Sequence, residues 1–157
     1  MRTFSMVEGL PVIHSHTGKE YGAVLDLILE EGKVHSLLIN KKGWFNQHII
    51  LPIKAIDSLG MDGIMIKEEK YFHPYTKKNR HRLHLKRGKE KIYGKLLLSS
   101  EGEKLGLVED VYFQEELGTI TGYEVTDGLL ADLMEGRKVI VHNKALIVGK
   151  ERAILSR

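Results

Sequence analysis

Eight histidines, at positions 14, 16, 35, 48, 73, 81, 84 and 142, are the first residues whose chemistry could matter. His14 and His16 stand two apart, which on a strand puts both rings on one face, a spacing able to hold a metal. His81 and His84 stand three apart, a chelating spacing on a helix. Neither pair has a metal's surroundings. Ser15-His16-Thr17-Gly18 reads as a turn with no carboxylate in it, and His81 and His84 lie among Arg80, Arg82, Lys86 and Arg87, whose charge disfavours a dication. We expect no metal site and no cofactor.

Nucleophilic chemistry finds no better support. There is no cysteine and no G-x-S-x-G elbow, and the glycines form neither a G-K-[ST] loop nor a close triplet. Asp26 and Asp110 occupy matching places in two similar segments, so as a catalytic pair they would belong to separate units. The simpler reading is that each accepts hydrogen bonds from backbone N–H groups of a neighbouring turn. We expect no catalytic residue, no enzyme and no small-molecule substrate.

Two features could bind a partner. Between Lys67 and Lys95 stand eleven Lys or Arg and three acids, a local charge of +8 in a chain whose total is +3, leaving −5 for the rest. Lys77, Lys78, Arg80, Arg82, Lys86, Arg87, Lys89 and Lys91 form its dense part, flanked by Tyr71, Phe72, Tyr75 and Tyr93. Such cations pair with phosphates and such rings can stack on unpaired bases. The same segment would suit an anionic membrane surface, or serve only as a solvated connector. The second feature is the loop Lys41–Gln47 with Trp44 and Phe45, matched later by Asp127–Met134 with Leu129 and Leu130. Trp44, the only tryptophan, could anchor a protein partner, or these side chains could plug the end of a small fold.

The scaffold under these residues is a repeat. Thr17–Asp26 lies over Glu101–Asp110, matching Gly18 to Gly102, Gly22 to Gly106, Val24 to Val108 and Asp26 to Asp110 at an offset of 84. Gly32 meets Gly118 at 86, and Ala55 meets Ala145 and Ile64 meets Ile154 at 90. Strands are predicted at 10–14, 23–30, 34–40, 48–53 and 64–67, and again at 96–98, 107–114, 120–126, 138–142 and 153–155. Gly- and Asp-rich turns separate them, as in a small barrel or sandwich. A helical turn is predicted at 129–134, between Asp127 as cap and Gly136 as stop. Gly22 and Gly106 should mark bulges that let a sheet curl. Pro52, inside a strand-like run, implies an edge position or a break in the ladder.

The order of Gly18, Gly22, Val24, Asp26, Gly32, Leu51-Pro52, Ala55-Ile56, Leu59-Gly60 and Asp62-Gly63-Ile64 resembles the PRC-barrel domain. The second copy keeps Gly102, Gly106, Val108, Asp110 and Gly118, and departs at its end, where Gly149–Ala153 replaces Gly60–Gly63. The resemblance implies a small β-barrel that docks rather than catalyses, as in a ribosome-maturation factor and the photosynthetic reaction-centre H subunit. We therefore expect an all-β chain of two tandem PRC-barrel-like barrels, residues 5–70 and 92–157, joined by a basic linker, 71–91. The function expected is a non-enzymatic adaptor with a protein partner. The alternative is an RNA- or ribosome-associated factor binding through 77–91. The longest apolar runs are four or five residues, too short to span a bilayer, and no signal-peptide core follows Met1. A cytoplasmic location is the expectation.

Overall fold

In the computed structural model, which describes residues 1–43, 47–127 and 136–157, the repeat is written in strand pairing. The first half runs β1 (Arg2–Thr3), α1 (Phe4–Val7), β2 (Pro11–His14), β3 (Glu20–Glu30), β4 (Lys33–Lys41), β5 (His48–Pro52), β6 (Ser58–Leu59) and β7 (Ile64–Ile66). The connector holds β8 (His73–Pro74), α2 (Lys77–Arg80) and β9 (Leu83–His84). The second half follows as β10 (Leu96–Leu98), β11 (Lys104–Phe113), β12 (Ile120–Thr126), β13 (Lys138–Val141), β14 (Leu146–Val148) and β15 (Arg152–Leu155).

Two sheets result. One has the order β6-β7-β2-β3-β4-β5 and the other β14-β15-β10-β11-β12-β13, so six strands recur in the same spatial order. In each, the first long strand's neighbour (β2 or β10) pairs parallel with the last hairpin (β7 or β15). Neither sheet closes on itself. β8 adds to the β5 edge of the first sheet; among the described residues no strand flanks the matching edge of the second.

Each long strand is bent by bulges at matching places. Val12 faces Gly22 while Ile13 faces Glu20, leaving Tyr21 extra; Leu97 faces Gly106 while Leu98 faces Lys104, leaving Leu105 extra. Gly22 and Gly106 sit there with φ of 147° and 138°, and a Cβ on Gly22 would lie 2.1 Å from the Asn40 carbonyl oxygen. These are the predicted curling points. A second bulge stands immediately before each aspartate, at Leu25 and Glu109. It turns Asp26 and Asp110 onto the outer face while Val24, Leu27, Val108 and Val111 stay in the core.

The register corrects one detail of the sequence alignment. Val12 pairs with Ile64 and Leu97 with Ala153, so Ile64 corresponds to Ala153 and not to Ile154. The hairpin turns Gly60–Gly63 and Gly149–Arg152 match by the bonds Gly60 N–H to Gly63 O and Gly149 N–H to Arg152 O. Ser58-Leu59, predicted as turn, is a strand that pairs with Met65 and Ile64. Pro52 costs the ladder nothing. The Lys41 N–H bond to Gln47 O sets the alternation along β5, so the amide position of Pro52 faces away from β4.

The two halves exchange their leading arms. β1, which precedes the first half, pairs with β11 of the second; β9, which precedes the second half, pairs with β3 of the first. Each arm then returns to its own half through equivalent bonds, Gly9 N–H to Val24 O and Gly94 N–H to Val108 O. The arms bring Phe4, Val7, Leu85 and Ile92 into one apolar core that continues through both halves. Where the β3–β4 and β11–β12 turns meet, Val34 N–H donates to Gly118 O (2.7 Å) and Ile120 N–H to Gly32 O (3.0 Å), a reciprocal pair.

Candidate functional site

The basic segment is built onto the first sheet. Asp26, fully buried on the outer face of β3, accepts the backbone N–H groups of Leu27 (2.8 Å), Lys86 (3.0 Å) and Arg87 (2.9 Å). Burial raises its carboxyl above the ordinary value, against the pull of those three donors and of His84. Asp110 fastens the other arm, accepting hydrogen bonds from the backbone N–H groups of Phe4 (2.9 Å), Ser5 (3.2 Å) and Val111 (2.8 Å). Sequence reading assigned both residues to backbone N–H groups of a neighbouring turn. The groups are backbone N–H, but two of the three in each set come from the exchanged arm, 60 or more residues away.

Beneath the segment lies a buried polar relay. His84 Nδ1 lies 2.6 Å from Arg82 O, which can only accept, so this nitrogen carries a proton; Nε2 and the Tyr75 hydroxyl share a hydrogen bond at 2.7 Å. Tyr75 also meets the edge of His48. Burial lowers the His48 pKa, and Arg87 and Arg80 lower it further. The path then turns back on itself, with Ile92 N–H donating to His84 O and Tyr93 N–H to Leu85 O. Residues 86–91 are thereby held as the rim of an ordered loop. Residues 80–82 and 88–90 line one side-by-side depression of about 480 Å³, in which Glu90 is the only acid.

The eight predicted cations divide. Arg82 pairs with Glu30 (2.9 Å) and Lys86 with Glu8 (2.9 Å), beside the rings of Phe4 and Tyr93. Burial opposes the charge of Lys86, yet Glu8 holds its pKa above the ordinary value. Arg80 lies over Tyr75. Lys77, Lys78, Arg87, Lys89 and Lys91 are exposed, and none of the described residues forms an ion pair with them. Each flanking ring has a neighbour. Phe72 packs on Tyr21, Tyr75 bonds His84, Tyr93 lies beside Lys86 and Tyr71 beside Lys70. What remains among the described residues is an array of cations in which Phe72, Tyr75 and Tyr93 are engaged and Tyr71 keeps an exposed ring.

Trp44 and Phe45, with the predicted turn 129–134, lie outside the described residues. The histidine pairs do not assemble. His14 Nδ1 accepts the N–H groups of His16 and Thr17 within the turn, and His84 is buried away from the exposed His81. No group of three metal-ligating side chains occurs among the described residues. Ser36, His35 and Glu30 do line up, with 2.7 Å and 3.7 Å between them. Ser36 is fully buried, so its hydroxyl offers no approach to a substrate. No helix among the described residues is long and apolar enough to cross a membrane.

Two bulged open barrels of one strand order define a tandem PRC-barrel architecture, and the family comparison agrees. The PRC-barrel domain model matches residues 1–73 and again 87–156, and the chain belongs to this family. It is similar to the uncharacterized protein YrrD of Bacillus subtilis (strain 168), 30% identical over 161 residues that cover 99% of this chain and 88% of that protein.

Proposed function

We propose that this chain is a non-enzymatic binding adaptor, with the ordered basic loop as its contact surface and single-stranded RNA as the partner that fits it. One observation carries this reading: five exposed cations, Lys77, Lys78, Arg87, Lys89 and Lys91, have no ion pair among the described residues, on a loop that Asp26 fastens at the Lys86 and Arg87 amides. Charge held unneutralised on a fixed frame costs self-repulsion, which phosphates relieve by releasing their counterions. With Phe72, Tyr75 and Tyr93 engaged within the fold, recognition rests chiefly on the backbone of the nucleic acid. A reducing, cytoplasmic setting suits a chain without cysteine.

The test is fluorescence anisotropy with a labelled single-stranded RNA across a salt series. Four or five phosphate contacts give a slope of log K against log salt of about −3. Changing Lys77, Lys78, Lys89 and Lys91 together to Glu is expected to weaken binding by at least about tenfold. Binding that ignores salt, or that survives these changes, overturns the reading. So does binding to anionic vesicles without binding to RNA.

A further inference from the structure

The two sheets differ at one edge. In the first, β5 carries β8 as an antiparallel neighbour, Ile50 facing His73 and Ile49 facing Pro74, with Tyr75 N–H donating to His48 O. In the second, no strand lies outside β13 among the described residues. Its side chains are apolar where they face out: Val139 is 50% and Val141 83% exposed. Among the described residues, the two cations at its start are each paired, Lys138 with Asp127 and Arg137 with Glu124. An uncovered apolar edge of this kind is a template for strand addition.

The register fixes which groups are free. His142 N–H donates to Thr121 O, and Gly122 faces Val141. Antiparallel alternation then sends the backbone groups of Lys138 and Ile140 toward β12, and those of Val139 and Val141 outward. The same alternation in β5 sends His48, Ile50 and Pro52 outward, where Tyr75 and His73 meet the first two. Val139 stands where Ile50 stands, and Val141 where Pro52 stands.

We propose that β13 pairs antiparallel with β13 of a second copy of this chain, across a two-fold axis at Ile140. The strand is self-complementary in that register. Val139 of one copy lies opposite Val141 of the other, twice, so the outward N–H and C=O groups of both valines bond reciprocally. The β-branched side chains pack in cross-strand pairs on one face. Ile140 faces Ile140 on the other, and Lys138 meets His142, with no carboxylate stranded and no lysine facing lysine. Isologous two-fold contacts are the commonest closed assembly. This proposal concerns a face remote in sequence from the basic loop and stands apart from the RNA reading.

Sedimentation velocity on the full chain, from low to high micromolar protein, tests it. The expected result is a concentration-dependent shift from a 17.9 kDa species to one of twice that mass. Val141→Lys is expected to abolish the shift. Val141→Pro copies Pro52 and removes an outward N–H without touching the ladder to β12; it is expected to weaken association at least about tenfold with the thermal midpoint of dilute protein unchanged. Amide exchange at Val139 and Val141 should slow as the dimer fills, while Ile140 stays protected throughout. A monomer at every concentration overturns the proposal. So does a dimer that tolerates both variants, or one in which the Val139 and Val141 amides keep exchanging freely.

Discussion

The outer faces of the two sheets carry unlike residues at matching positions. On the first, Ile28, Leu38 and Ile50 lie outside the core cluster and are all buried, with the connector pairing at Ile28 and Ile50. On the second, the corresponding Tyr112, Glu124 and Val139 are half-buried or exposed. One barrel thus has two apolar faces and needs a roof, and the 72–87 stretch supplies it. The other has one apolar face and a mixed outer one. The basic segment rests on the first barrel because that is where uncovered aliphatic area would otherwise meet water, and burying it offsets the cost of ordering so charged a stretch. Leu83 and Leu85 of this stretch pack with the core and His84 bonds Tyr75, while Lys77, Lys78, Arg87, Lys89 and Lys91 stay exposed.

That contrast can be broken most forcefully at the clamps. Asp26→Ala leaves two part-buried arm N–H groups and the buried Leu27 N–H without their acceptor and is expected to cost about 3 kcal/mol in urea unfolding; Asp110→Ala, whose bond to Ser5 is longer at 3.2 Å, somewhat less. Amide exchange should localise the two losses differently, at 85–87 for the first and at 4–5 for the second. The Asp26 carboxyl is raised by burial in the fold. Its stability contribution is therefore greatest below the ordinary aspartate pKa and declines as pH rises through the raised value. Asp26→Asn should flatten that part of the stability–pH curve; an unchanged curve refutes the assignment.

The contact between turns comes next. Gly118 has φ of 72° and a Cβ there would lie 2.3 Å from Val34 O, whereas one on Gly32 would meet Ala145 N at 3.0 Å. Gly118→Ala is expected to cost about 3 kcal/mol and Gly32→Ala about 1–2 kcal/mol, by urea midpoint. The order is the prediction, and equal costs contradict it. The smallest effects sharpen the comparison of faces directly. Ile50→Ala, 4% exposed under the connector, should cost about 2 kcal/mol, while Val139→Ala in dilute protein should stay within about 0.5 kcal/mol. Similar values for the two would mean that the roof contributes nothing.

The succession of the longer strands along each half and the curling points were legible because they rest on spacing; the short strands Ser58–Leu59 and Leu146–Val148 were not. Paired glycines at 22 and 106 and aliphatic runs such as Val34–Ile39 read the same from either half. The exchange of arms was not legible. β1 and β9 are two residues each, too short for any periodicity, and their pairing is decided by Asp110 and Asp26 from across the molecule. The aspartates showed their chemistry but not their partners, because a carboxylate's taste for N–H groups carries no information about distance in sequence. The basic run looked like a tether because composition registers its charges. Burial of Leu85 and Ile92 inside it is a fact of packing. The one-residue slip at Ile64 and Ala153 came from reading isoleucine against isoleucine, where the parallel pairing needs only an inward aliphatic.

The traded arms bear on how such a chain could have arisen. A single copy carrying an arm in this position has a docking groove that another molecule must fill, so two of them close around each other. Fusing the copies end to end replaces that encounter between molecules with one set by the length of the joint, and dilution can no longer separate them. Unfolding is then expected to be one cooperative event, read as a single transition by probes in either half.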